Sequence, residues 1–180
     1  MVPRNWEEHY ARPEQLDFTP VPLLVEVAEQ LPPGRALDLA CGSGRNALYL
    51  AGLGWKVLAV DSSVSAVRIL RNRAATADLA IEAVVADLES PGFTIEPGAY
   101  DLICDFFYLQ RDLFPRIREG IRPGGAFVAQ IHLRENDSQR FVLEPGELRA
   151  EFATWKILYY SEAARAGQHR PAARIIARRA

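Results

Sequence analysis

The 180-residue sequence lacks the features that mark membrane, exported and nucleic-acid-binding proteins. It has no apolar run of 18 residues, so no transmembrane helix and no membrane partner are expected. Residues 1–9 lack the apolar core of a signal peptide, which predicts a cytoplasmic protein. The net charge is only −2, which gives no general attraction to nucleic acid or to an anionic surface.

Cysteine is also scarce, and the sequence has no internal repeat and no low-complexity segment. The two cysteines, Cys41 and Cys104, do not have the spacing of metal ligands, so no metal site is predicted. We expect two buried, reduced thiols that pack as small apolar side chains. No serine–histidine or histidine–aspartate arrangement typical of nucleophilic or acid–base catalysis is recognised either.

The pattern that is present is an alternation of short apolar strands and amphipathic helices. Strands are predicted at 35–40, 56–60, 81–86, 100–104, 126–131, 154–161 and 172–177, and helices at 21–31, 45–52, 64–76, 110–121 and 146–152. Five β–α alternations predict an α/β fold, a doubly wound and mostly parallel sheet with helices on both faces. The last two strands have no helix between them, so they are expected to pair as an antiparallel hairpin.

One domain is expected over 21–180, preceded by a lid or cap over 1–20 that carries a short helix at Trp6–Tyr10.

The chain is organised around residues 36–50, which read as a strand, a glycine turn and a helix. The turn glycines, Gly42 and Gly44, allow close approach of a ligand to the main chain, and the helix offers free N–H groups nearby. Such a unit binds a nucleotide-like cofactor. The run Gly42-Ser43-Gly44-Arg45-Asn46-Ala47 also fits the dinucleotide pattern, so the turn alone does not identify the cofactor.

Acidic residues in or directly after the first three strands help to identify the cofactor that the turn would bind. Asp61 follows the second strand and would accept hydrogen bonds from ribose hydroxyls under either interpretation. Asp38 lies inside the first strand, where a carboxylate would repel a pyrophosphate and attract an ammonium or sulfonium group. Asp87 follows the third strand and is placed to accept from an adenine amino group, with the amide of Leu88 as a donor. The chain also leaves no room for the substrate domain of a dehydrogenase.

Taken in order, these segments resemble the motifs of class I S-adenosylmethionine-dependent methyltransferases. The matching segments are 37–44, Val60-Asp61, Ala86-Asp87-Leu88, 100–103 and 113–125. Gly44-Arg45-Asn46-Ala47, Tyr49-Leu50-Ala51 and Trp155 through Tyr160 are similar, more narrowly, to the tellurite-resistance and thiopurine-type small-molecule methyltransferases. The resemblance implies a Rossmann-like seven-stranded sheet of order 3-2-1-4-5-7-6. It covers about 21–180, and it departs from the family where Ala40 replaces the first turn glycine.

The resemblance also implies S-adenosyl-L-methionine as the cofactor and a set of contacts for it. Asp38 would hold the methionine end, the main chain of the turn would wrap the methionine and ribose, and the carbonyl of Asp105 would accept from the cofactor's amino group. The predicted cofactor-binding residues are Asp38, Ala40, Gly42, Gly44, Asn46, Asp61, Ser62, Asp87, Leu88 and Asp105. With the first and fourth strands adjacent, Cys41 would lie near Cys104, and we hypothesise that oxidation of this pair would distort the turn.

The methyl acceptor is expected at the carboxyl ends of the strands. The predicted substrate-binding residues are Tyr10, Arg12, Tyr108 and His132. The predicted catalytic residues are His169 and Arg170 in the last hairpin loop, because arginine supplies a fixed cation and histidine titrates near neutral pH. Such a pair suits a small acceptor that is a chalcogen oxyanion, a thiol or a similar soft nucleophile.

Four arginines near the C-terminus raise the question of a nucleic-acid site. Arg170, Arg174, Arg178 and Arg179 lack interleaved aromatic residues, so they are interpreted as a solvated strand end, and no nucleic-acid partner is predicted. The protein is expected to be a monomer or a homodimer. Two other functions stay open at this level: a catalytically silent S-adenosylmethionine-binding module that acts through a protein partner, and a nicotinamide oxidoreductase.

Overall fold

The computed structural model describes residues 6–11, 16–136, 141–163 and 170–180. The chain divides into two compact units, Met1–Thr94 and Ile95–Ala180. No helix in the described ranges is long and apolar enough to span a bilayer.

Within its described residues, 6–11 and 16–94, the first unit contains three parallel strands and four helices. These are α1 (Trp6–Tyr10), α2 (Pro22–Ala28), β1 (Arg35–Leu39), α3 (Arg45–Gly52), β2 (Lys56–Asp61), α4 (Val64–Thr76) and β3 (Ile81–Val85). β2 pairs in parallel with both β1 and β3, so that Leu39 lies opposite Val60 and Asp61 lies opposite Val85. The carboxyl ends of these strands therefore meet at one edge, which is where the glycine turn begins.

Local sequence explains the two helices that flank this edge. Gly44 is the N-cap of α3 in a left-handed conformation, and Ala47 and Leu50 turn inward from that helix. Ser63 is the N-cap of α4, and its hydroxyl accepts a hydrogen bond of 3.1 Å from the amide of Ala66. A serine N-cap satisfies one of the amides that the first turn of a helix leaves unpaired.

The part of the second unit that the structure describes contains four strands and two helices. These are β4 (Tyr100–Phe106), α5 (Leu113–Gly120), β5 (Ile121–His132), α6 (Glu147–Glu151), β6 (Lys156–Ser161) and β7 (Ala172–Arg178). β4 and β5 are parallel, whereas β7 is antiparallel to both β5 and β6. The strands of the whole sheet follow the order β3-β2-β1-β4-β5-β7-β6, which confirms the predicted order and the C-terminal hairpin.

Most predicted elements are confirmed, with differences at their ends. The helices at 45–52 and 64–76 have the predicted bounds. β5 begins at Ile121, five residues before the predicted start at Ala126, because the chain bulges through Pro123, Gly124 and Gly125 while still pairing with its neighbours. Gly124 has a φ of +81°, and its amide donates to the carbonyl of Arg179 at 2.9 Å.

The interpretation of the C-terminal arginines as a solvated strand end is wrong for Arg174. β7 lies between β5 and β6, so Arg174 is an interior residue of the sheet and is 0% exposed. Arg178 lies at the end of the strand and is exposed, as expected. The predicted strand order already made β7 an inner strand, and this was the signal for burial.

A substitution of Gly44, the N-cap of α3, tests the packing between the start of this helix and α4. Gly44 has a φ of +85°, and a Cβ there would overlap the side chain of Leu70. Gly44→Ala is expected to lower the free energy of unfolding by about 2–4 kcal/mol, from left-handed strain together with overpacking. Urea denaturation measures this change.

Gly52→Ala is the matched control. Gly52 ends the same helix and has no atom within 4 Å of the added Cβ position, so alanine is expected to stabilise the chain by up to about 1 kcal/mol. Equal effects of the two substitutions would contradict the packing described for Gly44.

Candidate functional site

The glycine turn, defined here as residues 40–44, alternates left-handed and ordinary backbone. Ala40, Gly42 and Gly44 have φ values of +49°, +55° and +85°. Ala40 therefore adopts the left-handed conformation even without being a glycine, at a cost of about 1–2 kcal/mol for an L-residue. The replacement at position 40 thus leaves this backbone conformation in place.

Asp61 ties the glycine turn to the end of β2. Its Oδ2 accepts a hydrogen bond of 2.8 Å from the amide of Gly42, and its Oδ1 accepts one of 2.9 Å from the amide of Ser63. The side chain is buried, and desolvation raises the pKa of the carboxyl group above its usual value despite these two donors. One carboxylate thus joins the turn, the strand end and the first residues leading into α4.

Three amides of the glycine turn donate hydrogen bonds within the protein. The amide of Cys41 donates to the carbonyl of Val60 at 3.0 Å, and the amide of Gly44 donates to the carbonyl of Cys41 at 3.0 Å. With the amide of Gly42 held by Asp61, these three donors are not directed at a phosphate group. This differs from the glycine-rich turn that binds a pyrophosphate through its amides.

Asp38 and Cys41 lie buried beside the turn. Asp38 is 1% exposed within β1. Burial, followed by the charges of Asp38 and Asp61, raises the pKa of the Cys41 thiol well above its usual value. Cys41 and Cys104 are both buried and form no disulfide, which confirms two thiols. A thiol that resists ionisation is a poor nucleophile, so Cys41 is not set up for thiolate chemistry.

Two further predicted residues flank the turn in different ways. Asn46 is buried in α3, and its side-chain oxygen accepts a hydrogen bond of 3.0 Å from the amide of Val21, the N-cap of α2. This contact anchors α2 against α3. Ser62 is exposed beside Asp61. Contact of either residue with a cofactor stays a prediction.

Asp87 and Leu88 follow β3 as predicted. The Oδ1 of Asp87 accepts a hydrogen bond of 2.9 Å from the amide of Glu89, which closes a tight turn. Asp87 is exposed, whereas the side chain of Leu88 is buried. The carboxylate therefore faces solvent at the same edge of the parallel strands as Asp61.

Helix α1 lies directly on the glycine turn. The hydroxyl of Tyr10 occupies the space where a Cβ of residue 42 would be. Glu7 accepts hydrogen bonds from the hydroxyl of Ser63 at 2.6 Å and from the amide of Ser65 at 3.1 Å, and these bonds lower the pKa of its carboxyl group. Sequence reasoning missed Glu7, because its partners lie 56 and 58 residues away along the chain.

In the second unit, the end of β4 carries three residues of interest. Asp105 is buried within the strand. Phe107 has a φ of +67°, and its amide donates to the carbonyl of Gln130 at 2.7 Å. The hydroxyl of Tyr108 donates to the side chain of Gln110 at 2.9 Å. A left-handed phenylalanine is uncommon and often marks a functional position.

His132 lies at the end of β5 against Phe107, with a distance of 5.3 Å between ring centroids. Partial burial and the charge of Arg170 lower the pKa of its imidazole below the usual 6.5, and Arg174 adds to this. Arg170 forms an ion pair of 3.5 Å with Glu135. The structure thus brings the predicted residues His132 and Arg170 together.

Two predicted residues, Arg12 and His169, lie outside the described residues. Among residues 6–11, 16–136, 141–163 and 170–180, no group of three or more histidine, cysteine, aspartate or glutamate side chains is arranged to hold a metal ion.

Comparisons with known proteins agree with this architecture. Residues 7–174 match the family model described as "Tellurite resistance protein TehB". A protein of Eikenella corrodens named "Hemagglutinin 1" is 32% identical over 150 residues, which are 77% of this chain and 49% of that protein. The Haemophilus influenzae protein named "Probable S-adenosyl-L-methionine-dependent methyltransferase TehB" is 27% identical over 151 residues, 77% of this chain and 52% of its own length. The chain therefore spans about half the length of these relatives.

Solved structures show the same fold. The crystal structure of TehB from Haemophilus influenzae superposes with a TM-score of 0.79 at 22% identity, covering 97% of this chain and 67% of that one. An S-adenosylmethionine-dependent methyltransferase from Mesorhizobium loti gives a TM-score of 0.67 at 18% identity, covering 86% and 96% of the two chains. The chain belongs to the TehB family, and its fold is that of the class I S-adenosylmethionine-dependent methyltransferases.

Proposed function

We propose that this protein is an S-adenosylmethionine-dependent methyltransferase that acts on a small soft nucleophile or oxyanion, such as a thiol or a chalcogen oxyanion. The observation that carries the proposal is the carboxylate of Asp61 held on the amide of Gly42 at 2.8 Å. Family membership and the likeness to methyltransferase folds support the same activity.

The electrostatics of the turn suit a cationic ligand. Asp61 and the buried Asp38 are both acidic, and a ligand with ammonium and sulfonium groups is attracted by them. A pyrophosphate would meet a carboxylate on the amide of Gly42 instead of a free N–H group. This argues for S-adenosylmethionine over a nicotinamide dinucleotide.

The residues at this edge fit the parts of that cofactor. Asp61 is oriented by two amides and retains lone pairs for ribose hydroxyls. Gly42 and Gly44 offer main chain without a Cβ. Asp38 would attract the methionine end, and Asp87, with the amide of Leu88, would hold the adenine. When bound, S-adenosylmethionine supplies an activated methyl group on a sulfonium.

The role of the protein in such a transfer is mainly to hold the acceptor in line. Proximity and orientation contribute up to about 7–11 kcal/mol in favourable cases. In the second unit, Arg170 is 42% exposed and can pair with an anionic acceptor, next to the imidazole of His132. Tyr10, Arg12, Tyr108 and His169 stay proposed acceptor-site residues.

We further propose that residues 1–20 act as a lid. Helix α1 lies on the glycine turn through Tyr10, and Glu7 holds it on the N-terminal end of α4. A segment placed there would cover a cofactor bound at the turn. Helix α1 depends on these side-chain contacts, because a helix of five residues is not stable by itself.

Asp61→Ala tests the cofactor site. The substitution removes the acceptor for the ribose hydroxyls and is expected to weaken binding of S-adenosylhomocysteine by about 1–3 kcal/mol, measured by calorimetry. Glu82→Ala, which removes an exposed acid from β3 in the same unit, is the control and is expected to leave affinity unchanged. An unchanged affinity in Asp61→Ala would refute the site.

The same titrations separate the competing functions. Binding of NAD without binding of S-adenosylhomocysteine would favour an oxidoreductase. Binding of S-adenosylmethionine with no methyl transfer to any small thiol, selenite or tellurite would favour a silent binding module.

Glu7→Gln tests the lid. Glutamine is a weaker acceptor than the carboxylate for Ser63 and Ser65, so α1 is expected to detach more often. Backbone amides of α1 should then exchange with deuterium severalfold faster, and bound S-adenosylhomocysteine should dissociate faster. Glu26→Gln, an exposed acid on α2, is the control. Unaltered exchange in Glu7→Gln would argue against a latch at this position.

A further inference from the structure

His132 combines an unsatisfied nitrogen with a site that solvent reaches. Its Nδ1 is buried and has no hydrogen-bond partner, although the residue as a whole is only partly buried. A buried polar atom without a partner is uncommon in folded proteins and destabilises the folded state. Such an atom is retained more readily where it serves a ligand.

The backbone next to His132 is held in an uncommon conformation. Phe107 is left-handed, and the bond from its amide to Gln130 fixes it beside the imidazole. The two rings lie 5.3 Å apart at an angle of 41°, and Phe107 is 37% exposed. The imidazole therefore has an aromatic wall on one side and a route to solvent past an exposed ring.

Burial and two neighbouring arginines disfavour protonation of His132, and the positive charge of these arginines makes its surroundings attractive to an anion. The charged groups that act on it are Arg170 and Arg174 from the β7 side and Glu135 from the segment after β5; Phe107, from the end of β4, carries no charge. Burial is the largest cause that lowers the pKa of the imidazole, and the charges of Arg170 and Arg174 lower it further, whereas the carbonyl of Pro171 and the charge of Glu135 raise it.

Arg174 is a fixed part of this environment. In the antiparallel register His132 lies opposite Ala172 and Gln130 lies opposite Arg174, so the side chains of these residues share one face of the sheet. The Nη1 of Arg174 donates to the carbonyls of Ala163 at 2.7 Å and Ala172 at 3.3 Å. Arginine keeps its proton, so this buried charge persists at all relevant pH values.

We propose that His132 is the general base for the methyl acceptor and that Arg170 pairs with the anion formed, so that the acceptor is a weak acid, such as a thiol, that binds in its protonated form. The inference rests on the proposed methyltransferase function. It adds the chemical class of the methyl acceptor and the residue that takes the acceptor's proton, neither of which the sequence motifs specify.

The transfer balances as follows for an acceptor X–H. The proton of X–H moves to the imidazole of His132, and the electron pair left on X forms the new bond to the methyl carbon. The pair of the breaking carbon–sulfur bond stays with sulfur. The imidazolium, destabilised by Arg170 and Arg174, then releases its proton to water.

The electrostatic coupling between His132 and Arg170 is tested by NMR titration of the histidine rings in the full chain. His132 is expected to titrate below 6.5, and Arg170→Gln should move its midpoint upward. Arg178→Gln removes an exposed arginine from the C-terminal end of β7, far along the strand from His132, and should leave the midpoint in place. A midpoint that does not respond to Arg170→Gln would overturn the pairing of these two groups.

The role of His132 as general base is tested with two thiols that differ in ionisation at neutral pH. Benzenethiol is largely ionised there, and 2-mercaptoethanol is largely protonated. His132→Gln is expected to slow methylation of 2-mercaptoethanol by about 10²–10⁴-fold, the range for loss of a general base, and to change the rate with benzenethiol far less. Added imidazole should restore part of the rate with 2-mercaptoethanol.

The outcomes separate this inference from the proposed function. Equal losses with both thiols, without rescue by imidazole, would overturn the role of His132 while leaving a working methyltransferase. A wild-type protein that methylates neither thiol would overturn the thiol acceptor. A wild-type protein that does not bind S-adenosylhomocysteine would overturn the function itself, and the NMR titration would still test the coupling of His132 to Arg170. Circular dichroism and a urea midpoint close to that of wild type check that His132→Gln is folded.

Discussion

The hydrogen bonds accepted by Asp61 are the contacts on which the candidate cofactor site depends. One buried carboxylate holds the amides of Gly42 and Ser63, and so links the glycine turn, the end of β2 and the start of α4. Burial makes the ionised form costly, which is why both oxygens have amide partners. Ser63 extends the connection, because its hydroxyl caps α4 and donates to Glu7 of α1. The same network therefore sets the shape of the turn and the position of the helix above it.

The burial of side chains in the second unit depends on the position of β7 between β5 and β6. That order places a seven-residue strand in the interior of the sheet, and an arginine in its middle loses all exposure to solvent. Arg174 is accommodated because backbone carbonyls near the ends of β6 and β7 accept hydrogen bonds from its guanidinium group. The charge of Arg174 helps to lower the pKa of His132, so the strand order affects a residue of the candidate acceptor site.

The regular elements were predictable because local pattern and tertiary packing agree for them. The helices at 45–52 and 64–76 have glycine or serine caps and one apolar face, and their bounds are as predicted. The start of β5 was predicted wrongly because glycine and proline usually end a strand, whereas here Gly124 forms a bulge that keeps its pairing with Arg179. Glu7 escaped prediction because hydrogen bonds to residues more than 50 positions away leave no local pattern.

The sequence by itself determined the class of fold, the strand order, the family and the position of the acids at the strand ends. The fold class follows from periodicity, whereas the strand order and the family follow from the resemblance of the motifs to those of a known family. Only the tertiary structure decided that the carboxylate of Asp61 is held on the glycine turn, that α1 lies on that turn, and that His132 shares its environment with Arg170 and Arg174. The physical reason is that burial and electrostatic coupling depend on distances in space, and chain spacing does not specify those distances.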